Sequence, residues 1–127
     1  NYYDDYSDRG RMIDFKCNVN KIKIISNRNL LMRIFDNLNG NALKHGLGDL
    51  SVNIVKESDI KITFANRIED DNLEVERLFD EFYTTDISRT KGSTGLGLAI
   101  AKQFTNILGG DIKAVKDGNS LRFEITM

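Results

Sequence analysis

The chain has 127 residues, 40% of them hydrophobic, and sets 18 Lys and Arg against 19 Asp and Glu for a formal net charge of −1. That length and apolar share suit one domain with a real core, and the near-neutral balance speaks against a generic nucleic-acid binder, which depends on excess positive charge. A single cysteine, Cys17, excludes an internal disulfide and a Cys/His zinc cluster, and no apolar run approaches the ~20 residues that span a bilayer.

A reducing, cytoplasmic setting fits this composition, with any membrane anchor left to the rest of a parent protein. Asn1 in place of Met, together with the absence of proline, leads us to expect a piece of a longer protein. The first ten residues are acidic and tyrosine-rich without a sustained period, and read as a linker or a first edge strand. Residues 1–11 are therefore set apart from a domain over residues 12–127. Ile13, Phe15, Cys17 and Val19 alternate with polar residues as a half-buried strand does, with Cys17 as buried packing, and a short strand follows at Lys21 to Ile25.

Ser26 or Asn27 can cap a helix whose apolar face is Leu31, Ile34, Phe35, Leu38 and Ala42. It runs to about His45, where Gly46 and Gly48 supply a left-handed stop. Leu50, Val52 and Ile54 alternate, as do Ile60, Ile62 and Phe64, with Glu57, Ser58 and Asp59 between them, which predicts a hairpin. A polar stretch from Asn66 to Asn72 leads to a short helix around Leu73, Val75 and Leu78, then to Phe79-Asp80-Glu81-Phe82-Tyr83. The two phenylalanines are expected against the core and the two carboxylates in solvent.

From Thr84 to Thr94 apolar periodicity is absent, which predicts a mobile loop. Leu96, Ile100, Phe104 and Ile107 then line a second long helix, stopped by Gly109-Gly110. Two strands, Asp111 to Val115 and Leu121 to Met127, close the chain around Asp117-Gly118. Hairpin-linked strands with two amphipathic helices predict an α+β two-layer sandwich, a mixed but largely antiparallel sheet covered on one face by helices.

Two segments carry candidate chemistry. In Asp36-Asn37-Leu38-Asn39-Gly40-Asn41-Ala42-Leu43-Lys44-His45, the residues Asn37, Asn41 and Lys44 fall at i, i+4 and i+7 and form a polar stripe beside the apolar one. Amide oxygens suit Mg²⁺ and a lysine one turn on can reach a phosphate, although a solvated helix face has the same pattern. In Gly92-Ser93-Thr94-Gly95-Leu96-Gly97, glycines open a helix whose unpaired N–H groups and dipole attract phosphates; a flexible hinge is the plainer alternative. Walker, dinucleotide and protein-kinase signatures are each missing.

Taken in order, the Asn-rich helix, Phe79 to Tyr83, the polar loop and Thr94 to Ile100 resemble the asparagine, phenylalanine and second glycine boxes of the ATP-binding domain of sensor histidine kinases. That family shares its Bergerat-type fold with gyrase B, MutL and a heat-shock chaperone. The match runs over roughly Met12 to Met127. The resemblance implies ATP and Mg²⁺ as cofactors, with Asn41 and Asn37 on the metal and Lys44 on phosphate. It also implies Arg89 and Lys91 at the γ-phosphate, amides around Ser93, Thr94, Gly95, Leu96 and Gly97 at the phosphate chain, and His45 on the adenosine side. Asn37, Lys44 and Arg89 would carry the catalytic part. Implied partners are a histidine-bearing dimerisation domain of the same protein and a response regulator downstream, with this piece monomeric and making no nucleic-acid or membrane contact.

One departure stands out. Where the first glycine box of the family should follow the strand near Ala65, this chain reads Asn66-Arg67-Ile68-Glu69-Asp70. Asn66 takes the place of an adenine-binding aspartate, so an acceptor remains but its charge is gone. Three readings follow. The first is the catalytic half of a sensor kinase, which is favoured. A gyrase-like hydrolase is disfavoured because Asn37 stands where its glutamate would be. The third is a degenerate interaction module with weak nucleotide affinity. The only histidine, His45, is a poor phosphoacceptor at the end of the asparagine box, so the acceptor is expected elsewhere in the full protein.

Overall fold

Alternating side chains create a sheet with one apolar face, and two stripes of helical period supply the layer that covers it. The computed structural model describes residues 2–20, 26–69, 73–83 and 95–127. The expected strand at Lys21 to Ile25 and the loop at Thr84 to Thr94 lie outside the described residues. The elements are α1 (Tyr2–Asp8), β1 (Ile13–Cys17), α2 (Arg28–His45), β2 (Gly46–Lys56), β3 (Ile60–Ile68), a 3₁₀ turn (Val75–Arg77), α3 (Gly97–Ile107), β4 (Asp111–Asp117) and β5 (Ser120–Thr126).

The strands form one five-stranded sheet in the order β1-β2-β3-β5-β4. β1 runs parallel to β2, and every other pair is antiparallel, as the hairpins require. Register places Val52, Phe64, Phe123 and Ala114 side by side, with Ile54, Ile62, Ile125 and Ile112 in the next row. These rows face the helices. Phe35 of α2 meets Phe64 at 6.0 Å, and Phe79 meets Phe123 edge-on at 6.0 Å. On the opposite face Arg122 Nε donates to Glu124 Oε1 at 2.8 Å with Lys61 nearby, and these cations hold the Glu124 carboxyl below its ordinary pKa.

Helix α2 begins where expected: Asn27 is extended and its Oδ1 accepts from the Leu30 N–H at 3.1 Å. Ile34, Leu38 and Ala42 are its buried stripe, and α3 packs beside it through Ala101 and Thr105. α3 ends at Gly109, whose φ of 80° is the left-handed stop expected there.

Several expectations are corrected. Residues 2–8 are a helix and not an edge strand; Tyr6 is the one fully buried side chain among those described in it, and one anchor in two turns leaves no periodicity to read. Cys17 is exposed because β1 is the sheet edge, and Phe15 is 50% exposed for the same reason. Ile107 is 62% exposed, since the inward face of α3 runs through Leu98, Ala101, Thr105 and Leu108. Phe82 points outward, 67% exposed, while Phe79 alone of the pair packs on the core. Asp80 and Glu81 are exposed as expected. Gly46 is extended (φ −81°) and opens β2 directly, and Gly48 is left-handed within a bulge of that strand.

The Tyr6 hydroxyl is buried without a hydrogen-bond partner among the described residues, and burial raises its pKa against the opposing pull of Arg11 and Arg9. A phenol whose folded pKa is raised contributes stability below its unfolded pKa of about 10 that is lost as pH rises through the folded value. Tyr6→Phe is therefore expected to gain about 1 kcal/mol at neutral pH by removing an unsatisfied hydroxyl. It should also lack the alkaline loss of the wild type. Urea unfolding at about pH 7 and about pH 11 checks both, and equal alkaline loss in the two proteins would refute the assignment.

Candidate functional site

The buried stripe of α2 fixes the rotation of that helix, and with it the flank on which its amides lie. Asn41 and His45 line a cleft, partly open to solvent, with Gly46, Asn66, Ile68, Glu69, Leu73, Leu78, Leu98 and Leu121. This is a largely apolar slot with a few polar groups, the usual character of a small-molecule site. Lys44 is exposed and does not line it.

The slot depends on a close approach. Where α2 turns into β2, a Cβ on Gly46 would fall 1.6 Å from Asn66 Nδ2 and 2.5 Å from the Ala42 carbonyl oxygen. Only glycine fits. Asn66 is 7% exposed, one of two buried polar residues among those described, and its Nδ2 donates to the Arg67 carbonyl at 3.3 Å. With its nitrogen engaged there, Oδ1 is the atom left to accept from a guest.

β3 continues two residues past Asn66, so Ile68 forms slot wall where a polar loop was expected. The far wall is braced by Tyr83, whose hydroxyl accepts from the Glu74 N–H at 2.9 Å while Arg77 stacks over its ring at 4.7 Å. That fold-back carries Leu73 and Leu78 into the slot. The exposed ion pairs of Arg77 with Glu74 and Asp80 add little.

At the start of α3 the second motif meets the first. A Cβ on Gly97 would lie 3.4 Å from Asn37 Oδ1, so the Asn37 amide sits directly against the opening of α3. The cap residue Leu96 offers no side-chain hydrogen bond, and the first N–H groups of the helix carry the positive end of its dipole. Just before it, Gly95 has φ 76°, and its carbonyl accepts from the Phe82 N–H at 3.0 Å. A Cβ there would come within 2.7 Å of the Phe82 and Tyr83 backbone.

Thus Asn41, His45 and Asn66 line one cleft, and Asn37 meets Gly97 at the opening of α3, whose Leu98 lines the same cleft. Arg89, Lys91, Ser93 and Thr94 lie outside the described residues. No group of three His, Cys, Asp or Glu that could hold a metal is found among the described residues. Asn37 and Asn41 would offer Mg²⁺ neutral amide oxygens, which suit an ion that arrives with anionic oxygens of its own, and the cleft wall also carries the Glu69 carboxylate. The slot walls Ile68, Leu73, Leu78, Leu98 and Leu121 were missed as site residues. The signal for Ile68 is the period-two run Ile60, Ile62, Phe64, Asn66, Ile68.

Comparison with known proteins agrees with this fold. A family model described as histidine kinase-, DNA gyrase B- and HSP90-like ATPase matches residues 26–127, and the chain belongs to that family. Within it, the chain is homologous to sensor histidine kinases: a sensor protein kinase WalK of Staphylococcus aureus is 37% identical over 92 residues, 66% of this chain and 22% of that protein. WalK of strain JH9 shows the same identity over 15% of its length. The chain thus spans about a fifth or less of the curated relatives it matches.

Solved structures with the same fold include full-length ShkA in complex with AMPPNP (TM-score 0.81, 21% identity, 98% of this chain and 27% of that one). The mycobacterial sensor histidine kinase MprB gives a TM-score of 0.80 at 20% identity over 99% of this chain and 87% of its own. The nucleotide-free catalytic domain of histidine kinase ThkA gives 0.79 at 20% identity, over 99% and 86%.

Gly46→Ala and Gly95→Ala test the two close approaches. Each is expected to lose about 2 kcal/mol or more of stability in denaturant unfolding, because the obstructing atoms include backbone that cannot step aside. A loss below about 0.5 kcal/mol in either would show that the neighbouring segments move freely.

Proposed function

We propose that this domain binds ATP with Mg²⁺ and supplies the γ-phosphoryl group to a histidine on a separate dimerisation domain of its parent protein. The carrying observation is the seating of the Asn37 amide against Gly97, at the open end of α3 and beside an apolar slot with Asn66 in its wall. The slot accepts the adenine, whose amino group donates to Asn66 Oδ1, and His45 lies along the adenosine. Asn41 and Asn37 turn amide oxygens to the Mg²⁺, which when bound neutralises phosphate charge.

The amides of Leu96, Gly97 and the preceding Ser93, Thr94 and Gly95 receive the phosphate chain. Lys44, Arg89 and Lys91 supply cations for its terminal end. In transfer, the imidazole nitrogen forms a bond to the γ-phosphorus as the bridging P–O bond breaks and ADP departs. Positioned cations and donors suffice for so loose a transition state. Hydrolysis is not the favoured reaction, because the group beside α3 is Asn37, an amide that takes no proton from water at neutral pH. From the transferred phosphoryl group, a response regulator is the natural next acceptor.

A second reading, an interaction module with feeble nucleotide binding, is favoured by the neutral Asn66 and by the run of residues 66–70 without glycine. Titration calorimetry with a non-hydrolysable ATP analogue, with and without Mg²⁺, separates the two. Saturable heat is expected, and Asn41→Ala should weaken Mg²⁺-dependent affinity about tenfold, the worth of one metal-directed oxygen contact of ~1.4 kcal/mol. Folded protein that evolves no heat at millimolar nucleotide would hand the case to the interaction module.

A further inference from the structure

Helix α2 ends at Gly46 without a left-handed cap residue. It passes directly into β2, which Gly46 enters in an extended conformation, so the helix lacks the left-handed residue that commonly satisfies its last carbonyls. The Gly46 N–H reaches the Ala42 carbonyl, and the remaining donors come from a segment more than thirty residues earlier in the chain. Arg11 Nη1 donates to the Leu43 carbonyl at 3.1 Å, its Nη2 to the Ala42 carbonyl at 3.3 Å, and its Nε to the Gly48 carbonyl in the bulge of β2. Arg9 Nη1 adds a bond to Leu43 at 3.2 Å.

The aim of Arg11 is built into the end of α1. Gly10 is left-handed (φ 67°); its N–H bonds the Ser7 carbonyl at 3.0 Å and the Arg11 N–H bonds the Tyr6 carbonyl at 2.8 Å, the paired bonds of a Schellman stop. That stop turns the chain so that the Arg11 guanidinium lies 4.6 Å over the Tyr6 ring, and Tyr6 is fully buried. The next residue joins the same junction: the Met12 N–H bonds Asp49 Oδ1 and the Met12 carbonyl accepts from the Leu50 N–H, each at 2.9 Å. A fixed cation thus sits at the negative end of the α2 dipole.

The last turn of α2 is also the slot wall that bears Asn41 and His45, with Gly46 following. We propose that Arg11, which does not line the slot, is a positioning residue for its ligand: it holds the last turn of α2 closed so that Asn41, His45 and Gly46 present one rigid wall. The inference rests on the reading of the slot as a nucleotide site. Freed of Arg11, the turn frays, and the ordering of that wall is then charged against binding.

The test uses the whole chain with Arg11→Met, which keeps aliphatic packing on Tyr6 but removes the donors, and Arg11→Lys, which keeps the charge on a single donor group. Two readouts go together: calorimetric affinity for the ATP analogue with Mg²⁺, and hydrogen exchange at the Gly46 amide, which is bonded to Ala42. Arg11→Met is expected to weaken affinity about tenfold and speed Gly46 exchange about tenfold or more, with Arg11→Lys between it and the wild type.

Arg9→Met, which loses one bond to an acceptor that Arg11 also serves, should change affinity less than about twofold. A merely structural role would lower the melting temperature of Arg11→Met yet leave the affinity of the folded protein within about twofold, and that result overturns the proposal. If Arg11→Met does not fold, Arg11→Lys carries the same two readouts. Should the wild type itself take up no nucleotide, the function proposed above fails, and Gly46 exchange alone decides the latch: acceleration in the Arg11 variants supports it and unchanged protection ends it.

Discussion

The passage of the chain from α2 into β2, so near β3 that Gly46 has room only for a hydrogen, governs the rest of the site. It brings the last turn of a helix against the Asn66 side chain and closes one end of the slot. Because β2 begins at the very residue where α2 stops, the sheet and the helical layer share a corner, and any slack at that corner would open the slot. Two devices remove the slack. One is the absence of a Cβ, and the other is the pair of arginines that complete the hydrogen bonding of the helix end from outside.

A similar economy operates at the other rim. Gly95 is clipped to Phe82 by a backbone bond and is packed against the Tyr83 carbonyl, so the two chain ends that flank residues 84–94 are held together. Phe82 is the one non-glycine residue described with a positive φ (63°), a conformation that costs energy for a bulky side chain. Its neighbour Tyr83 is meanwhile tied by its hydroxyl to Glu74, so the strain is held from both sides. The frame around the slot is therefore fixed at both rims before any ligand arrives, which lowers the ordering cost of binding.

How far the amino-acid pattern reveals this can be traced residue by residue. The stripe Ile34, Leu38, Ala42 and the alternation of β3 and β5 are strong periodic signals, and they place the helices on one face of a mixed sheet with Asn41 and His45 beside it. What periodicity cannot convey is contact between distant segments. Gly46 reads as a helix stop because that is the commonest use of a glycine there, yet its role is set by Asn66 twenty positions later. α1 is too short to show a period, Cys17 alternates correctly but sits on an edge strand with little to cover it, and Ile107 belongs to a face of α3 that turns away from the sheet. The asparagine helix and the glycine-opened helix are legible as separate motifs; their meeting at Asn37 and Gly97 is a fact of packing.

The amides at this site are neutral, and that has an electrostatic consequence. Under the proposed function, two amide oxygens would offset little of the cost of stripping water from a doubly charged cation, so Asn37 and Asn41 would hold Mg²⁺ well only when phosphate oxygens share it. Metal and nucleotide affinities would then be coupled, each strengthening the other by the same factor. On the same reading a neutral Asn37 would give water beside the phosphates no proton acceptor there, so a bound triphosphate would be preserved until a better nucleophile is brought to it. A site built this way would suit the proposed delivery of a phosphoryl group, and the accepting imidazole would then come from outside the slot, since His45 lines its wall.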